Sequence, residues 1–122
     1  MIESELIALL KADAAVSDLV GEMVALNRME EGDESPYIVC QLIYGTRTGS
    51  MSSTGCSPRK RMQVSCYAAN IKLAKEIAEV AVNAIENYEG FKVVFLGEQD
   101  LFDAVAKLDY TVLDYSITQH ID

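Results

Sequence analysis

Residues 61–88 read RMQVSCYAANIKLAKEIAEVAVNAIENY, and within them the hydrophobic period changes once. Met62, Val64, Cys66 and Ala68 alternate with Arg61, Gln63, Ser65 and Tyr67, the two-residue repeat of an antiparallel strand with one face buried. From Ile71 onward the period becomes helical. Ala74, Ile77, Ala78, Ala81, Ile85 and Tyr88 fall on one stripe. Asn70 stands at the switch, where a side-chain oxygen can cap the first turn, and Gly90 is expected to end the helix. The alanines in the stripe let the helix lie close against a sheet. A half-buried strand running straight into an amphipathic helix sets the fold class as α+β.

Upstream, Ile38, Cys40, Leu42 and Tyr44 alternate with Tyr37, Val39, Gln41 and Ile43. Both faces are fairly apolar, so this strand is expected to be central. Between the two strands lies GTRTGSMSSTGCSPRKR, residues 45–61, whose Gly, Ser and Thr are loop chemistry. Hairpin loops usually run about two to five residues, and loops beyond about 12 are commonly functional or disordered. A hairpin symmetric about Ser53 would put Cys40 opposite Cys66 as two buried thiols. The Gly45–Arg61 loop is expected to be mobile in the free subunit.

Toward the N-terminus, Ile2, Leu6, Leu9 and Leu10 keep helical spacing, and Asp13 to Gly21 predicts a brief second helix stopped by the glycine. MVAL at 23–26 reads as a short strand and MEEGDES at 29–35 as an acidic, solvated turn. Downstream, FKVVFLG at 91–97 is a third long strand. EQDLFDAVAK reads equally as a loop with a helical turn or as a strand edge. Asp109 to Gln119 is a final strand with Leu113, Tyr115 and Ile117 inward. The expected architecture is a single 1–122 domain. In it, an antiparallel β-sheet carries a long helix and an N-terminal helix packed on one face.

Charge is segregated along the chain. Of a net −9, residues 1–34 carry −7, residues 35–75 carry +6 with no acid at all, and residues 76–122 carry −8. Arg47, Arg59, Lys60 and Arg61, four of the ten basic residues, lie in or beside the long loop. The acidic total disfavours nonspecific nucleic-acid binding by the molecule as a whole. No run approaches the roughly 18 apolar residues of a membrane span. The first residues, MIESELIALLK, lack the basic start of a signal peptide. Three cysteines, an odd count, argue against a secreted disulfide framework.

Catalytic patterns are missing from the sequence. His120, the single histidine, has no Cys or Ser partner implied by context, and a zinc site would want closely spaced Cys and His. Asp100, Asp103, Asp109 and Asp114 read as scattered surface acids. GTRTGS lacks the Gly-Lys-Ser/Thr ending of a phosphate-binding loop. No cofactor, metal or catalytic residue is expected. Three uses of the basic hairpin remain open. It could contact nucleic-acid phosphates, dock on the acidic surface of an identical neighbour, or be a solvated connection.

LIALLKADAAVSDLVG, then ESPYIVCQLI, then RMQVSCYAANIKLAKEIAEVAVNAI resembles the tail-completion, or tail-terminator, proteins of long-tailed phages and prophages. Ser35 to Val39 entering a strand and Gln63 to Ala68 leading into an alanine-rich helix carry most of the likeness. Glu22-Met23-Val24 departs from the basic-aromatic-proline segment common after the glycine, and Tyr67 from a larger aromatic. The resemblance implies a structural, non-enzymatic protein of the virion tail, present in the host cytoplasm during assembly. It would assemble as a homo-oligomeric ring, typically a hexamer, on the end of the tail tube. There it would stop tube growth and offer a surface to the head connector protein, with acids lining a channel for DNA. Under that reading Arg47, Arg59, Lys60 and Arg61 are expected at a subunit or partner interface, docking on the 30–34 loop or the 98–103 segment. No membrane and no sequence-specific nucleic acid are expected as partners. A nucleic-acid-binding module using the 45–61 hairpin is the alternative, and a small hydrolase is a third.

Overall fold

Eight elements order the chain: α1 (Ile2–Ala12), α2 (Ala14–Val20), β1 (Val24–Leu26), β2 (Tyr37–Thr46), β3 (Arg59–Ala68), α3 (Ile71–Asn87), β4 (Phe91–Asp103) and β5 (Leu108–Gln119). They come from a computed structural model that describes residues 2–27, 36–46 and 59–119. The strands form one sheet in the order β1-β2-β3-β5-β4.

The period switch falls where the residues put it. Asn70 is extended at the head of α3, and its Oδ1 accepts from the Leu73 N–H at 2.9 Å. Asp13 caps α2 the same way, accepting from the Val16 N–H at 3.1 Å. Each cap satisfies one of the donors that a helix start leaves unpaired. Gly21 ends α2 at φ 63°, in the left-handed region that glycine enters without Cβ strain. α3 stops slightly earlier than expected, at Asn87, with Tyr88 extended as its C-cap. Gly90 serves the next turn by having no side chain, since a Cβ there would lie 2.5 Å from the Tyr88 ring.

Ala74, Ile77, Ala78, Ala81 and Ile85 of α3 are all buried, as are Ile2, Leu6 and Leu10 of α1. They meet Ile38, Cys40, Met62, Val64, Cys66, Leu113, Tyr115 and Ile117 in one core. Within each strand these core residues share one parity, so the helices cover one face of the sheet, while Val39 and Ser65 are buried on the other. The other face carries Tyr37, Tyr67 and Tyr110 side by side on β2, β3 and β5. Their rings contact at 5.0 Å and 4.5 Å between centroids.

Three expectations change and one open reading is decided. The sheet is mixed, because β1 runs parallel to β2. A three-residue run is too short to specify its partner's direction. Here the Ile38 N–H donates to the Met23 carbonyl and the Asn27 N–H to the Cys40 carbonyl, which fixes the parallel ladder. Next, Cys66 stands opposite Ile38, and Cys40 opposite Val64. The hairpin is therefore out by two residues from symmetry about Ser53, and the thiols are diagonal neighbours. Third, β2 runs on to Thr46 and β3 begins at Arg59, so Arg59, Lys60 and Arg61 sit on a strand and not in a loop. Residues 47–58, with Arg47 and Cys56, lie outside the described residues, as do the 28–35 turn and His120. Finally, β4 is a strand through Asp103, closed by a turn in which the Asp103 carboxylate accepts from the Val105 and Ala106 N–H groups, both at 3.0 Å.

Burial pushes the Cys40 thiol up to about 12 and raises Cys66 as well, so neither forms a thiolate at neutral pH. A maleimide applied to the native protein should modify Cys40 and Cys66 only at the rate of unfolding. Fast labelling of either thiol in the folded state would contradict the β2–β3 packing. Tyr115 is fully buried, and among the described residues its hydroxyl has no hydrogen-bond partner. An unsatisfied buried hydroxyl costs about 1–3 kcal/mol. Tyr115→Phe should therefore hold or raise the melting temperature, whereas Ile77→Ala should cost about 2–5 kcal/mol; thermal unfolding checks both.

Candidate functional site

The three described basic residues of the hairpin do not form a patch. They alternate across β3, and Lys60 and Arg61 meet acids of the same subunit. Lys60 is on the helix side, where its Nζ reaches the Glu3 carboxylate of α1 at 2.5 Å. Arg61 is on the opposite face, where two of its nitrogens donate to the two Asp114 oxygens of β5, a bidentate pair. Arg59 opens β3 opposite Thr118. Arg59 and Arg61, two apart on β3, share the face opposite Lys60, and Arg47 lies outside the described residues.

The acids also have local duties. Glu98 and Asp100 of β4 share Lys75 of α3, at 3.2 Å and 3.0 Å. Asp100 further accepts from the Thr111 hydroxyl at 2.9 Å. The hydrogen bonds from Lys75 and Thr111 hold its carboxyl below the usual range. Asp103 closes the β4–β5 turn and Asp114 holds Arg61, so the four aspartates singled out in the sequence do not converge. Among the described residues no three His, Cys, Asp or Glu side chains gather as a metal site would require.

A cleft of about 400 Å³ runs between α1, α2 and α3, lined by Leu9, Asp13, Val80, Asn83 and Tyr88 among others. Asp13 is spent on its cap there, and the Tyr88 hydroxyl donates to Glu5, which raises the tyrosine pKa. The cleft holds no paired nucleophile and base.

What the geometry offers is surface for contact. Large apolar side chains stay exposed at the sheet's two sides: Leu42 and Ile43 on β2, and Val94, Phe95, Leu96 and Phe102 on β4. Strand periodicity had made both faces of β2 fairly apolar and had not singled out Ile43. It gave no sign that β4 would be an edge strand, because edge position depends on the strand order, which no local pattern encodes. The nucleic-acid reading gains nothing, since two of its four cations are neutralised within the subunit.

Residues 4–120 match the family model described as tail completion protein gp17. A search of curated protein sequences finds no match. Among solved structures, the chain resembles one titled as the virion of a native gene transfer agent particle. The TM-score is 0.68 and the identity 20%, with 93% of this chain and 90% of the other covered. It also resembles the gp17 protein of bacteriophage SPP1, with a TM-score of 0.58 and 15% identity, covering 98% of this chain and 88% of that one. At these identities the two structures establish a shared fold.

The Glu3–Lys60 pair gives a test of the geometry. Burial alone would raise the Glu3 carboxyl, but the hydrogen bond and charge of Lys60, aided by a backbone N–H, outweigh it and lower the pKa. A depressed carboxylate stabilises above its unfolded pKa, and that contribution is lost as pH falls through the folded value. Glu3→Gln should therefore cost about 1–2 kcal/mol at pH 7, with the gap from wild type closing below the ordinary carboxylate range. Denaturant unfolding of both proteins across pH 2–7 measures it, and a gap that persists at the acid end would contradict the pairing.

Proposed function

Since the chain belongs to the tail completion protein gp17 family, structural components of phage tails, we propose that it completes the tail as a ring of identical subunits. The ring sits on the last turn of the tail tube, prevents further subunits from adding, and presents its other side to the head connector. The protein acts by occupying that position, without catalysis. One observation carries the reading: the family match runs over nearly the whole chain, from residue 4 to residue 120. The hexameric number comes from the family resemblance alone.

Self-association of one chain into a ring requires two different surfaces that fit each other across a rotation. The basic end of the β2–β3 hairpin is one proposed part of the interface. Lys60 and Arg61 enter it as residues already tied to Glu3 and Asp114, so their long side chains are held in place before any partner arrives. Arg47 is the cation assigned to the neighbour or to the tube, with Arg59 beside Arg61 on the same strand.

Reversing all four charges would break two intramolecular pairs and confuse folding with assembly. The informative variant is Arg47→Glu alone, leaving Arg59, Lys60 and Arg61 in place. Its circular dichroism and melting temperature should match wild type, because the Lys60–Glu3 and Arg61–Asp114 pairs stay intact. Tails assembled with it should be overlong and headless in electron micrographs. Normal, terminated tails would remove Arg47 from the interface.

A further inference from the structure

The sheet has two open sides, and their apolar residues lie at one level. Following hydrogen-bonded partners across it, one row runs Leu42–Met62–Tyr115–Phe95. Its two outer members, on β2 and β4, are 39% and 46% exposed. Each outer strand also carries a bulge beside this row, at Ile43 on β2 and at Leu96 on β4. The bulged residues are 44% and 48% exposed, and Val94 is 52% exposed.

Among the described residues both strands are also open to pairing. β4 is the last strand of the sheet. On the other side β1 pairs only with Ile38 to Cys40. Asn27, at φ 70°, then turns the chain out of the strand. Among the described residues, nothing pairs with the outer edge of β2 from Gln41 to Thr46. An exposed apolar edge is what natural sheets normally blunt with charge or cover. Here Leu42–Ile43 and Val93–Leu96 carry no charge, and the one charge in the Phe91–Leu96 half is Lys92 at its start, level with Thr46 and away from the Leu96 end.

Strand direction fits a head-to-tail contact. β2, β3, β5 and β4 alternate in direction across the sheet, so β4 runs antiparallel to β2. Rotation about an axis along the strands preserves both direction and level. It brings β4 of one copy antiparallel to β2 of the next, with Phe95 level with Leu42. We infer that the subunits of the ring are joined by this edge, the Phe91–Leu96 half of β4 adding to the Gln41–Thr46 half of β2 in a second copy. The inference rests on the ring reading and names the surface that makes the ring. The Leu96 bulge falls near the level where β1 ends on the far edge. Bulges bend a strand, so the Gly97–Asp103 half parts from the sheet line and clears the neighbour's β1.

Area decides between a ring and a free dimer. Five half-exposed side chains with about 100 Å² each left to bury give roughly 500 Å², against about 1,200–2,000 Å² for a stable pair. One such contact is weak. In a closed ring every subunit makes two, and the last closure is intramolecular.

The test is a cross-link. Ile43→Cys and Leu96→Cys are introduced together in a Cys56→Ser chain, whose remaining thiols, Cys40 and Cys66, are buried. The purified chain at high concentration, and tails assembled with it, are treated with a short bismaleimide. The expected result is a ladder of covalent oligomers reaching the ring size, from chains whose melting temperature matches the parent. Neither single-cysteine chain should yield anything. Leu96→Lys should raise the concentration at which oligomers form at least tenfold, since a lysine on an open edge blocks strand addition. Rings or completed tails without Ile43–Leu96 cross-links would overturn the edge contact and leave the ring reading standing. Dimers from the Leu96→Cys chain alone would overturn it in favour of a closed β4–β4 pair. Absence of any oligomer, even on tails, would overturn both.

Discussion

Everything in this fold depends on how closely α3 can approach the β3–β5 pair. Ala74, Ala78 and Ala81 make the contact stripe shallow, and Ile77 and Ile85 fill the remaining depth against Met62, Val64, Leu113 and Ile117. Interiors are packed to crystal-like density, so a larger residue at any of these alanines would lift the helix from the sheet. With α1 and α2 beside α3, one face of the sheet is closed. The other face then relies on cross-strand pairs of side chains: the Tyr37–Tyr67–Tyr110 row and the bidentate Arg61–Asp114 pair. Such pairs contribute about 0.2–1 kcal/mol each, enough to fix register but not to replace a second helical layer.

The charge segregation along the chain has an intramolecular explanation. Cations of the middle segment meet acids from both flanking segments: Lys60 meets Glu3 of the first, while Arg61 and Lys75 meet Asp114, Glu98 and Asp100 of the third. Three of these four pairs tie a helix to the sheet, one from α1 to β3 and two from α3 to β4. The fourth links neighbouring strands on the uncovered face. Exposed ion pairs contribute little, about 0–1 kcal/mol, so their value here lies in orientation more than in stability. Lys60–Glu3 is the most enclosed and anchors the N-terminal helix at the end of β3 that leads into residues 47–58.

Local chemistry made most of the elements readable. Asn70 and Asp13 cap where their side chains must, the inward set Leu113, Tyr115 and Ile117 follows strand periodicity, and the α3 stripe follows helical spacing. What escaped the sequence was set by nonlocal pairing. The direction of β1 is decided by hydrogen bonds from Ile38 and Asn27. The hairpin register is decided by how far β2 and β3 extend, with Ile43 bulged between them. The basic residues were misplaced for the same reason. A Gly- and Ser-rich stretch reads as loop, yet the strands run on until cross-strand bonds stop, and Arg59 to Arg61 still have partners on β5. The family likeness was legible from the spacing of the strand and helix signatures, whereas the position of β4 at the edge was not.

A protein that must stop a polymer faces a particular physical problem. Under the proposed ring, its subunits have to join on the end of a tube without joining freely elsewhere. A net charge of −9 on 122 residues opposes casual contact between free copies. At physiological salt that repulsion is screened beyond about 8 Å, so it slows encounters without reaching deep into a formed interface. Along the proposed contact, Lys92 is the one charge of the Phe91–Leu96 half of β4, so that contact would proceed mainly through backbone hydrogen bonds and apolar side chains. A small edge area keeps each single contact weak. Only an arrangement that lets every subunit make two contacts at once, such as a closed ring held on a template, collects enough of them to persist.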